Sequence, residues 1–243
     1  YELAPPQYYL TLFLVPDLPA LQRFAAQVHG VTLPVGTVAY SVKEDYVAAA
    51  VSEGPEAGSL RHELAHLLMS DASGTIPEWL EEGLASLYEV ADTADGTVTG
   101  KPNWRGPILQ ARWPRRWNIE QILHTPAPWS DIGASETASA DRNADVGLYL
   151  ATLRYFTLFL QQREWLVPWY SALRDRAPLE TSPERLDPLA LLEKAAGANL
   201  PSIQRDFDAW AMETVKEQNP PCGATDEQGR PCLNSDKNPN DWM

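Results

Sequence analysis

The chain is short of basic residues, of cysteine and of histidine, and it has no long apolar run. Its 19 Lys and Arg stand against 33 Asp and Glu, a formal net charge of −14. A field of that sign repels phosphate backbones and anionic lipid surfaces, so nucleic acid is not expected as a partner. No segment approaches the roughly 20 consecutive apolar residues that a membrane-spanning helix requires, so no membrane span is expected. The two cysteines, Cys222 and Cys232, have no second pair to join, which argues against a zinc site made of cysteine alone. Four histidines occur in all, His29, His62, His66 and His124, and two of them fall four residues apart.

What is present is the material of a core. The composition is 44% hydrophobic with nine Trp in 243 residues, far from the polar, highly charged regime of disorder. One catalytic-sized domain over residues 1–218 is expected, with a sheet-containing lobe at 1–57 and a helical lobe at 58–218. Residues 219–243 are rich in Pro, Asn, Asp and Gly and read as a tail. Within it Cys222 and Cys232 close a short turn-rich loop, so a disulfide between them is expected, and with it an oxidising, extracytoplasmic or secreted location. The sequence opens at Tyr1 without a basic and apolar leader, and any targeting segment is expected to lie outside it.

Periodicity places the elements. Residues 8–15, 37–41 and 46–51 read as strands and 18–28 as a helix, a small sheet with a cover. Helices are expected at 59–69, ending toward Gly74, and from Thr75-x-x-Glu78, a capping-box pattern, to about residue 90. Residues 91–118 read as an irregular stretch, 119–124 as a short helix and 125–143 as a polar loop. Further helices are expected at 145–162, 165–173, 189–196 and 203–216. The segment 101–117 carries Lys101, Arg105, Arg112, Arg115 and Arg116 among Trp104, Trp113 and Trp117. It reads as a solvated loop anchored by its aromatic rings, with a substrate-contacting loop as the alternative.

The chemistry concentrates in Arg61-His62-Glu63-Leu64-Ala65-His66. Histidines four apart share one helical face, so both imidazoles reach one zinc ion, and Glu63 stands where a general base for zinc-activated water is needed. Catalytic zinc takes a third protein ligand. A turn after the first helix would bring back the second, Pro77-Glu78-Trp79-Leu80-Glu81-Glu82-Gly83-Leu84-Ala85, and set a carboxylate opposite the histidine pair. Gly83 is expected to let those two helices approach closely. His29 and His124 read as helix-end residues.

His62-Glu63-x-x-His66 followed by Trp79-Leu80-x-Glu82-Gly83-x-Ala85 resembles the gluzincin zinc metallopeptidases, most of all their compact, bacterial, peptidase-MA-like members. The resemblance covers about residues 36–165 and makes Glu82, rather than Glu81, the third zinc ligand. It likens 36–51 to a substrate-lining edge strand, and 46–51 is expected to offer free backbone groups and small side chains at Ala48, Ala49 and Ala50 to an extended peptide. It also points to Tyr149 as the donor to the developing oxyanion, with Tyr88 and His124 as rivals and a core aromatic as the alternative reading of Tyr149. Ser86 stands where thermolysin-like relatives carry an orienting Asp, which leaves that task to Asp71 or Glu89. The expectation is an α+β fold, a small N-terminal sheet with a helix packed on a mainly helical body and zinc in the cleft between them. The implied function is zinc-dependent hydrolysis of a peptide or protein substrate. The alternative is an inactive zinc-binding scaffold or partner-binding module on the same fold.

Overall fold

The computed structural model describes residues 8–34, 36–52, 57–72, 76–94, 96–125, 140–176 and 187–218. Cys222, Cys232, Gly74, Thr75 and the side chain of Asp71 fall outside what it describes, and with them the expected disulfide, the glycine cap and the capping box. The architecture is α+β, a three-stranded sheet and a two-stranded hairpin on a largely helical body.

The sheet is built from β1 (Thr11–Val15), β2 (Ala39–Val42) and β3 (Val47–Val51) in the order β1-β3-β2. β3 runs parallel to β1 and antiparallel to β2, so both of its edges are taken. This corrects the expectation that 46–51 is a free edge strand. Its alanines are small because the sheet is covered on both faces, not to admit a substrate. Ala49 packs with Leu21 and Ala25 of α1 (Leu18–Phe24) and its π-helical continuation Ala25–His29. Side chains alternate along a strand, so Ala48 and Ala50, both 0% exposed, face the other way, where α2 (Gly58–Ala72) lies on β2 and β3. Among the described residues the free edge beside α2 belongs to β2. At the opposite edge β1 exposes Leu12 and Leu14.

α2 packs along α3 (Glu78–Glu89), which begins without a side-chain cap, as the Pro77 carbonyl accepts from the Leu80 and Glu81 amides. Trp79, Leu80, Leu84, Ala85 and Leu87 turn into the core and leave Glu78, Glu81 and Glu82 on the side toward the sheet lobe. Residues 91–118 are not irregular. They hold the hairpin β4 (Ala91–Ala94) and β5 (Thr97–Gly100), then α4 (Arg105–Ala111). The sequence carries an Asp-Gly pair between these strands, a favoured hairpin signal, and Gly96 takes a φ of 73°. α5 (Ile119–His124) follows with a complete capping box between Asn118 and Gln121.

α6 (Ala140–Gln162) starts earlier than its pattern suggests, and from Ala151 to Leu160 every residue is buried. A helix enclosed all round is the centre of its domain. α3, α4 and α9 (Leu200–Gln218) pack against it, with α7 (Leu166–Arg176) and α8 (Pro188–Ala196) completing the body. Gly83 does permit a close approach, but to α6 rather than α2: a Cβ there would lie 2.5 Å from Thr157 Oγ1.

Candidate metal centre

Three elements meet at one cleft of about 340 Å³, lined by Tyr40, Ser41 and Lys43 from the sheet lobe, His62, Glu63 and His66 from α2, and Glu78, Glu81 and Glu82 from α3. The i, i+4 spacing on α2 turns both imidazoles to the same side, so that the two Nε2 atoms stand 3.1 Å apart. Glu82 faces the pair, its two oxygens 3.5 Å from His62 Nε2 and 3.2 Å from His66 Nε2. His62, His66 and Glu82 thus form a group that could hold a metal ion.

The outer nitrogens fix which way the lone pairs point. His62 Nδ1 donates to Glu89 Oε1 at 3.1 Å, and His66 Nδ1 donates to Glu81 Oε1 at 2.8 Å. With Nδ1 committed to a carboxylate, Nε2 is the nitrogen each ring turns inward, the arrangement a ligating histidine needs once its Nε2 proton has left. Glu89, one of the two orienting groups considered, is thus in contact with His62. Glu81 turns away from the centre and steadies His66, its carboxylate also receiving Lys43 Nζ at 2.5 Å. Ser41, on the free-edge strand, donates to Glu63 Oε2 at 2.7 Å.

Electrostatics match this geometry. Burial works against charged imidazoles, but the Glu82 and Glu89 carboxylates outweigh it and raise His62 to about 10. For His66 burial is likewise outweighed by Glu81 and Glu82, which raise it to about 9. Burial pushes the Glu82 carboxyl up, yet the two histidines hold it well below the usual range. Glu89, also buried, is lowered by Arg105 and His62. Carboxylates strong enough to hold protons on two adjacent imidazoles favour any cation at the same point, and a metal ion would take the protons' place.

Other expected residues sit elsewhere. Tyr149 is 0% exposed, edge-on to Trp117 at 5.1 Å, and is not among the side chains lining the cleft. Burial, with Glu78 and Glu82 adding to it, pushes its hydroxyl pKa up. Tyr88 lines an apolar groove that also includes Leu64 and Leu68. His124 Nδ1 donates to the Glu120 carbonyl at the end of α5, and His29 closes its helix beside the Tyr40 hydroxyl, both as expected. Arg105 departs from the solvated loop read over 101–117: it is 8% exposed and bonded to Glu89. Its signal is absent from the local sequence, since nothing links an arginine at 105 to a glutamate at 89 before the hairpin folds. No protein-family model, no curated protein and no solved structure matches this chain at a significant level.

Proposed function

We propose that the protein is a zinc-dependent peptidase of gluzincin type, with His62, His66 and Glu82 as ligands and Glu63 as general base. The observation that carries the reading is the convergence of two Nε2 atoms 3.1 Å apart with the Glu82 carboxylate, whose Oε1 lies 3.2 Å from His66 Nε2 and whose Oε2 lies 3.5 Å from His62 Nε2. Tetrahedral zinc with bonds of about 2.1 Å separates its ligands by about 3.4 Å, so the trio fits that ion with little adjustment. Bound there, zinc supplies Lewis acidity that makes water acidic near neutral pH and polarises a carbonyl.

The protein's own groups account for the rest. Glu63 lines the same cleft and takes the proton of the attacking water, then returns it to the departing amine. Ser41 holds one oxygen of Glu63 and leaves Oε1 without a protein partner among the described residues, available for that transfer. The free edge of β2 lies along the cleft, where an extended peptide can add as a further strand and bring its carbonyl beside the trio.

Hydrolysis of a peptide mixture by the purified protein, with and without chelator, tests the reading. Cleavage that stops on chelation and returns with zinc is expected. Glu63→Gln should keep its zinc and lose activity, because an amide cannot accept the proton. Zinc bound at the trio with no cleavage of any peptide would leave the scaffold alternative instead.

A further inference from the structure

Behind His62 lies a buried polar cluster that the peptidase reading does not use. Glu89 Oε1 accepts from Arg105 Nη2 at 2.6 Å as well as from His62, and Glu89 Oε2 accepts from Asn103 Nδ2 at 2.9 Å. Asn103 Oδ1 in turn accepts the Arg105 amide at 3.0 Å, which locks the two residues into one turn before α4. That turn is held from the central helix. Arg154 of α6 donates to the Lys101 carbonyl and, at 3.4 Å, to the Val90 carbonyl, the two chain ends at the base of the hairpin. Tyr155 donates to the Asn103 carbonyl at 3.2 Å. A continuous path of hydrogen bonds thus runs from α6 through residues 101–105 to Glu89 and a candidate metal ligand.

The charge balance shows what such a cluster can and cannot do. Arg105 and Arg154 are 8% and 0% exposed, and together they outnumber the single carboxylate they surround. Arg105 Nε and both Nε and Nη1 of Arg154 have no hydrogen-bond partner among the described residues. Two buried cations behind His62 repel a dication in front of it, so the cluster is not there to attract a metal. Its favourable contribution must be geometric. A carboxylate fixed by three donors has one orientation, and it gives the His62 ring one orientation and one tautomer.

We propose that Arg105 is a positioning residue for the metal centre, acting through Glu89 on His62. The inference rests on the zinc-site reading but not on catalysis. The two contributions have opposite signs. If repulsion dominated, removing the arginine charge would strengthen metal binding; if positioning dominates, it weakens it.

Zinc affinity of the full chain, measured by competition with a chromophoric chelator near neutral pH, decides between them. Arg105→Gln is expected to weaken binding by about 10- to 100-fold, the range for loss of a partner behind a ligating histidine. Arg105→Lys keeps the charge and stem but loses the planar fork, and should fall near the lower end, about 10-fold. It carries the test if the glutamine variant does not fold. Arg116→Gln, which removes a two-point arginine–carboxylate pair with Asp208 on α9, outside the cleft, should leave affinity unchanged. Cobalt(II) used as a probe should show altered ligand-field bands in the Arg105 variants and not in Arg116→Gln. Folded Arg105 variants with wild-type or tighter zinc affinity would overturn the inference while leaving the peptidase reading intact. A wild-type chain that binds no zinc at all would instead remove the reading on which it rests.

Discussion

Glu81 and Glu82 are adjacent and chemically identical, and their different surroundings assign them different tasks. Glu82 faces both Nε2 atoms, whereas Glu81 sits on the Nδ1 of His66 and under Lys43. Glu82→Ala should therefore lose most bound zinc, while Glu81→Ala should keep the metal with about 10-fold weaker affinity, as when a partner behind a ligand is removed. Metal analysis of the two variants after dialysis checks this, and the reverse pattern would move the ligand by one residue. Tyr149 poses a similar choice. An oxyanion donor replaced by Phe lowers turnover roughly a hundredfold or more with zinc content unchanged. A core tyrosine replaced by Phe changes the melting temperature instead. The burial of Tyr149 against Trp117, off the cleft wall, supports the second outcome. Turnover and thermal melts of Tyr149→Phe, taken together, distinguish them.

The placement of α3 is set from behind as well as by α2. Gly83 lets it lie against α6, where a methyl group added at that glycine would come within 2.5 Å of Thr157 Oγ1, next to Glu82. Gly83→Ala should cost about 1–3 kcal/mol by overpacking, because Thr157 sits on a wholly buried stretch of helix and cannot swing into solvent. Thr157→Ala in the same chain removes the clashing oxygen and should restore part of the loss. Denaturant unfolding of the two single variants and the double variant measures the coupling, and strict additivity would show that the two residues do not meet. β3 (VAAAV) and β2 (AYSV) are both short strands of mainly small and β-branched residues, Tyr40 apart, yet among the described residues only β2 keeps a free edge at the cleft. That difference arises because β1 pairs with β3 across an intervening helix.

At the scale of the whole molecule, protons hold a centre that a metal ion could take instead. In the metal-free protein His62 and His66 are raised from 6.5 to about 10 and 9, so their contribution to stability is full below about pH 6.5 and is lost as pH rises through those values. Glu81, Glu82 and Glu89 are lowered from 4.5, so theirs is full above that pH and is lost on acidification. The metal-free chain should therefore be most stable at mildly acidic pH, and its melting temperature should fall between about pH 6.5 and 9. On the proposed reading zinc reverses the trend, because it needs neutral imidazoles and gains affinity as they lose protons. At a free concentration a thousand times its Kd it adds about 4 kcal/mol. Thermal melts across this range with and without zinc should diverge upward in pH; parallel curves would mean that the metal does not displace the histidine protons. The histidine pair, Glu63 between them and the amphipathic helices were legible in the sequence because they depend on spacing within one element, which the 3.6-residue turn fixes locally. The Asp95-Gly96 pair is an equally local signal, a hairpin turn inside a stretch whose polarity otherwise suggests an irregular loop. Which strand keeps a free edge, which helix Gly83 admits, that Glu81 backs His66 while Glu82 faces the centre, and that Arg105 reaches Glu89 were decided only by tertiary structure. Each depends on the relative placement of elements far apart in the chain, and that placement is set by the packing of the whole core.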